Sequence, residues 1–147
     1  MSNTFRLFVQ DDNSVIDEDV MEVAGVDPSK AEELFPGMFK IYEVWLHPAT
    51  GRKQMEITAK CQKVQADGAT VYDVTLEPAI RAEVMIEKWN GPTERPTVDG
   101  FLNQHPNVCN AIDAHIRKYM YPNAFATASP FIKALSELQK SSETVTV

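Results

Sequence analysis

The chain lacks most of the devices by which small proteins perform chemistry. Its two cysteines, Cys61 and Cys109, lie in different segments and form no CxxC pair, which removes the usual dithiol and zinc-ribbon spacings. Its six glycines fall in neither a G-x-x-x-x-G-K-[ST] loop nor a G-x-G-x-x-G turn, so nucleotide binding has no motif to rest on. No G-x-S-x-G marks a nucleophile elbow. Positive charge is also short. Fourteen Lys and Arg face twenty-one Asp and Glu, a formal charge of −7. That surplus repels phosphate backbones and anionic headgroups, and no basic run offsets it locally. No apolar run approaches bilayer-spanning length. Met1 to Thr4 leads straight into a mixed stretch without a signal-peptide pattern. The expectation is a cytoplasmic protein with two reduced thiols and no cofactor.

What remains is enough to build one domain. With 147 residues and a 44% hydrophobic fraction, a single core is expected over residues 1–140, with 141–147 a polar, mobile tail. Phe5 to Val9 is strand-like and ends at the turn Asp11-Asp12-Asn13-Ser14. Val15 to Val26 fits neither period clearly. Asp27-Pro28 has the cap-plus-proline form of a helix start, closed by Phe35-Pro36-Gly37. Phe39 to His47 is the clearest strand, with Tyr42, Val44 and Leu46 on one face and large apolar groups on the other as well. Gln54 to Cys61 and Thr70 to Leu76 alternate at period two and are expected to complete an antiparallel meander.

The second half has helical spacing. Pro78 opens a helix expected to run through Trp89 and stop at Asn90-Gly91-Pro92. Thr97 caps a short helix ending near Asn103. Asn107 is expected to cap another, with Val108, Ile112, Ile116 and Tyr119 as its apolar stripe. Ser129-Pro130 starts the last helix, which carries Phe131, Ile132, Leu135 and Leu138 on one side. Strands first and helices afterwards is the α+β pattern: an N-terminal antiparallel β-meander followed by a helical C-terminal half.

Residues with chemical potential are few. His105, Cys109 and His115 lie close in sequence, but helical periodicity turns His115 away from the first pair, and zinc needs three or four convergent ligands. The acidic runs Asp11-Asp12, Asp17-Glu18-Asp19 and Glu32-Glu33 are adjacent in sequence and read as solvated turns and helix starts. They lack the glycine and closing glutamate of a calcium loop. A small enzyme built on the two histidines and Cys109, or an acidic mimic of nucleic acid, is the remaining alternative of another class. Phe125 and the face Phe131, Ile132 and Leu135 are more informative. Apolar groups on a terminal helix either fold back on the sheet or present a docking face.

Several short features occur in a telling order. Leu46-His47-Pro48-Ala49-Thr50-Gly51-Arg52 comes first, then Ile86-Glu87-Lys88-Trp89-Asn90-Gly91. A proline-containing loop and Phe101-Leu102 follow, then Pro106-Asn107-Val108 entering a helix to Ile116, then Phe125. Over residues 40–135 this order resembles the tail assembly chaperones of long-tailed bacteriophages. The first forty residues match no part of that pattern. The resemblance implies a non-catalytic protein of the infected cell's cytoplasm. It would bind the helical tape-measure protein, keep it soluble and help deliver tail-tube protein, with self-association as a further expectation. It singles out Trp89, Gly91, Phe101 and Leu102 by match. The protein-binding set expected is therefore Trp89, Phe101, Leu102, Phe125, Phe131, Ile132 and Leu135. A structural virion component of the tail or neck is the alternative.

Overall fold

A computed structural model describes residues 3–91, 96–122 and 130–145, with side chains of the last segment described for 131–140. The chain opens with strand β1 (Thr4–Val9), which pairs antiparallel with β2 (Val15–Asp17). The connection is tight because Asn13 takes a positive φ of 66°, a conformation asparagine tolerates better than most residues. Asp12 accepts from the Ser14 backbone N–H at 2.9 Å. The stretch that fitted neither period divides in two. It ends as helix α1 (Glu18–Val23), with Asp17 accepting from the Val20 N–H as N-cap. Asp27 caps a short 3-10 turn over Pro28–Lys30, as its sequence implied, and α2 (Ala31–Leu34) follows.

Strand β3 (Lys40–Leu46) pairs with the full length of β1. The next segment departs from expectation. Residues 54–61 belong to helix α3 (Gly51–Cys61), not to a strand. Thr50 is its N-cap and accepts from the Lys53 N–H at 3.2 Å. Ile57 and Cys61, four apart, are the two buried positions, whereas Met55 is 72% exposed. The apparent alternation was one helical face crossed by two incidental apolar residues. A small separate hairpin follows, β4 (Gln62–Val64) with β5 (Thr70–Tyr72). The strand expected to reach Leu76 stops at Tyr72, because Asp73 accepts from the Thr75 hydroxyl and backbone N–H and turns the chain.

Helix α4 (Glu77–Met85) also ends earlier than its periodicity suggests. Ile86 to Trp89 becomes β6, the fourth strand of the main sheet, in the order β2-β1-β3-β6. Its register on β3 shifts between Trp45 and Leu46. Asn90 closes the sheet end: its side chain accepts from the Glu43 N–H at 2.7 Å and donates to the Ile41 carbonyl. Then come α5 (Val98–Leu102), capped by Thr97 as expected, α6 (Pro106–Met120) and α7 (Pro130–Val145). The cap of α6 is His105, whose Nδ1 accepts from the Asn107 N–H at 3.1 Å. Pro106 takes the first helical position, so the cap lies two residues before the expected one. The helix α7 extends beyond residue 140, through the first part of the expected tail.

The sheet carries apolar groups on both faces, as the composition of β3 implied. On one face Leu7, Tyr42, Val44 and Leu46 meet Ile57, Met85, Ile112 and Ile116 from the helices. Each such fully buried aliphatic side chain stabilises the fold by roughly 1.5–3 kcal/mol. On the other face Phe8, Met21 and Ala31 form a smaller cluster, with Phe8 and Phe39 edge to face at 5.8 Å. The expected α+β class, antiparallel strands first and helices after, is the class observed.

Candidate functional site

The residues singled out from the sequence fall into two groups. Trp89 and Phe101 are core residues, 8% and 2% exposed. Trp89 ends β6 and packs with α4 and the sheet, and Gly91 lies under its ring. A Cβ at Gly91 would sit 2.9 Å from two ring carbons. The Trp-x-Gly pair is thus a packing unit in this chain, with the tryptophan covering the glycine. Phe101 anchors α5 to the main core, and its carbonyl accepts from the Cys109 thiol at 3.1 Å. Leu102, one residue on, is 48% exposed. Phe125 lies outside the described residues.

The second group is on α7. Phe131 is 69% exposed, Leu135 39% and Leu138 68%, and Ile132 is half-buried. None of the α7 side chains described is buried. Positions 131, 135 and 138 are spaced by four and three, so they share one face of the helix. Lys133, Ser136, Glu137 and Lys140 lie on the opposite side, with Ile132, Ala134 and Gln139 between. Burial of these apolar groups against the sheet, one of the two readings of the sequence, is not what the described residues do. The helix instead presents a row of large apolar side chains to solvent, while the body of the protein buries Leu7, Leu46, Ile57, Ile112 and Ile116 to 1% exposure or less.

Alternatives built on chemistry do not assemble. His105 is a helix cap. His115 stacks on Phe5 with ring centroids 4.8 Å apart, in a cleft of about 210 Å³ between β1, α1 and α6. Burial pushes its imidazole below the ordinary histidine range, against the opposing pull of Asp17. Burial pushes the Cys109 thiol up, which makes it a poorer nucleophile at neutral pH. Among the described residues no three His, Cys, Asp or Glu side chains converge to hold a metal ion, and no helix is long and apolar enough to cross a membrane.

Sequence reasoning missed a buried charge network. Arg81 on α4 reaches Asp113 on α6 and Glu77 one turn earlier, and Arg117 joins Asp113 at 2.9 Å. Glu77 also accepts from the Tyr72 hydroxyl at 2.7 Å, which raises the tyrosine pKa and ties β5 to α4. The signal was present as Arg81 amid the apolar residues of α4, flanked by Ile80, Ala82 and Val84. No family model, curated protein or solved structure matches this chain.

Proposed function

We propose that this is a non-catalytic protein-binding chain that acts as a tail assembly chaperone, its client being the helical tape-measure protein of a long-tailed phage. The observation that carries the reading is the apolar face of α7. Phe131, Leu135 and Leu138 are spaced as helix-in-groove and helix-on-helix anchors are spaced. A client of that kind presents long amphipathic helices whose apolar seams need cover until they assemble, and a matching helical face provides it. The order of motifs from residue 46 to residue 116 points the same way. The acidic surface suits the role, because it keeps a loaded complex soluble and repels nucleic acid.

The test is co-expression with the long helical protein encoded beside this one, followed by light scattering of the soluble fraction. The reading requires the client to become soluble and to co-elute with this chain. It also requires Phe131→Glu with Leu138→Glu to abolish co-elution. A client that aggregates equally with and without this chain would overturn it.

A further inference from the structure

The four free strand edges of the described structure are not alike. The main sheet ends at β2 and β6. The β2 edge carries Asp17 and runs directly into Glu18 and Asp19, and β6 carries Glu87 and Lys88. Charges of this kind block pairing with another chain. In the small sheet, β4 carries Lys63 at its centre. The fourth edge, β5, consists of Thr70, Val71 and Tyr72, with no charge and no proline, and all three residues are exposed.

The register fixes which backbone groups β5 turns outward. Gln65 donates to the Ala69 carbonyl at 2.8 Å, and Asp73 donates to the Cys61 carbonyl at 2.8 Å. Hydrogen-bonded pairs alternate along an antiparallel ladder, so Lys63 and Val71 form the bonded pair between them. Thr70 and Tyr72 are therefore the residues whose N–H and C=O point away from β4. Such a row is a template for another strand. A two-stranded hairpin alone is marginal, and a third or fourth strand adds to its stability.

We infer that β5 is a self-association edge that pairs antiparallel with β5 of a second copy of this chain, with Val71 on the two-fold axis. In that register Thr70 of each copy faces Tyr72 of the other and exchanges both backbone hydrogen bonds, four in all. Val71 packs on its own symmetry mate across the non-bonded position, where side chains approach most closely. The same operation at β4 would set Lys63 against Lys63, and like charges directly opposite are destabilising. Charge thus selects β5 over β4. It also selects a second copy at this place on the molecule. Two chains of charge −7 repel each other, and the contact strand Thr70–Tyr72 carries no charge, with Lys63 beside it held at 2.7 Å by Asp73. The edge is already rigid on the body, since the Tyr72 hydroxyl is anchored on Glu77. Exposed Val64 and Val74 flank the contact, 77% and 69% exposed.

The inference stands apart from the chaperone reading, which uses α7. The test is sedimentation equilibrium of the full chain and of two variants. The wild type should dimerise in the micromolar range. Val71→Lys should weaken the dimer by at least about tenfold, because it brings two new cations to the axis beside Lys63. Val71→Cys should form an intermolecular disulfide on mild oxidation, whereas Val64→Cys on the outer strand should not. If Val71→Lys fails to fold, the cysteine pair decides alone. A wild type that stays monomeric, a dimer indifferent to Val71→Lys, or equal cross-linking at 64 and 71 would overturn the inference. Protection of the edge only in the presence of a client protein would overturn it too, by assigning β5 to the client.

Discussion

Arg81 and Asp113 face each other between α4 and α6 at 2.5 Å, with side-chain exposures of 6% and 10%. An arginine in this position is desolvated on all sides. Its guanidinium also reaches Glu77, and Asp113 also accepts from Arg117 at 2.9 Å. The pair is thus the centre of a four-residue network that orients α6 against α4. Removing Asp113 leaves the buried Arg81 with only the partly exposed Glu77 to compensate its charge. Asp113→Ala is expected to destabilise the protein by roughly 3–5 kcal/mol in urea denaturation. Arg117→Ala removes only a half-exposed partner and is expected to change stability by less than about 1 kcal/mol. Combining Arg81→Met with Asp113→Leu should restore most of the loss, since an apolar pair of similar volume replaces the ions without their desolvation.

Gly91 is held to its identity by Trp89. Its backbone is not in the left-handed region, so the requirement is one of space alone. Gly91→Ala would push a methyl group into the indole face, and the ring is too buried to swing away. Overpacking of this kind costs about 1–3 kcal/mol. The expected result is a lower denaturation midpoint with a shifted tryptophan emission. In a Trp89→Leu background the additional effect of Gly91→Ala should shrink to a few tenths of a kcal/mol. A full-sized effect in that background would mean that the clash lies elsewhere.

How far the sequence reveals this architecture depends on what each segment packs against. Tyr42, Val44 and Leu46 were legible because their alternation is set by the sheet itself. Val108, Ile112 and Ile116 were legible because one helix face meets one core. Residues 54–61 misled because Met55, Ile57, Ala59 and Cys61 alternate while only Ile57 and Cys61 are buried. The signals that favour a helix were the Thr50 cap and the Lys53-Glu56-Lys60 charges, which pair at three and four residues' spacing. Ile86 to Trp89 misled for a different reason. Its buried ends and exposed middle fit a helix, and only pairing with β3, forty residues earlier, makes it a strand. Long-range pairing of that kind leaves no local trace. In the candidate site, the apolar row of α7 was legible as a pattern, but its exposure was not. An amphipathic helix has the same sequence whether its apolar face is covered by its own chain or left for another.

His115 links pH to stability in a direction that follows from its burial. The stacked ring beside Phe5 resists protonation, so its pKa in the folded protein lies below the ordinary value near 6.5. Above the unfolded pKa both states are neutral and the histidine contributes no pH dependence. As pH falls through that value the unfolded chain takes up a proton that the folded one refuses, and stability drops until the folded pKa is reached. The neighbouring carboxylates of Asp17, Glu18 and Asp19 moderate the effect, and Lys118 adds to it. His115→Gln should therefore flatten the fall in denaturation midpoint between pH 7 and pH 5. An unchanged slope in the variant would place the pH dependence on the carboxylates instead.

The apolar row of α7 makes a prediction that separates binding from folding. Phe131 and Leu138 are more than two-thirds exposed, so replacing them with glutamate removes little packing within the chain. Surface changes of this kind usually alter stability by no more than about 0.5 kcal/mol. Burial of each side chain in a partner's groove would contribute about 1.5–3 kcal/mol. Losing both anchors and adding two buried charges should then weaken binding by more than about a hundredfold. The double variant is thus expected to melt like the wild type while failing to hold the proposed tape-measure client in solution. Replacing Lys133 and Glu137 on the polar side of the same helix should leave both properties intact. If instead the glutamate pair lowers the melting temperature sharply, the helix packs on its own chain in solution and the docking face must be sought elsewhere.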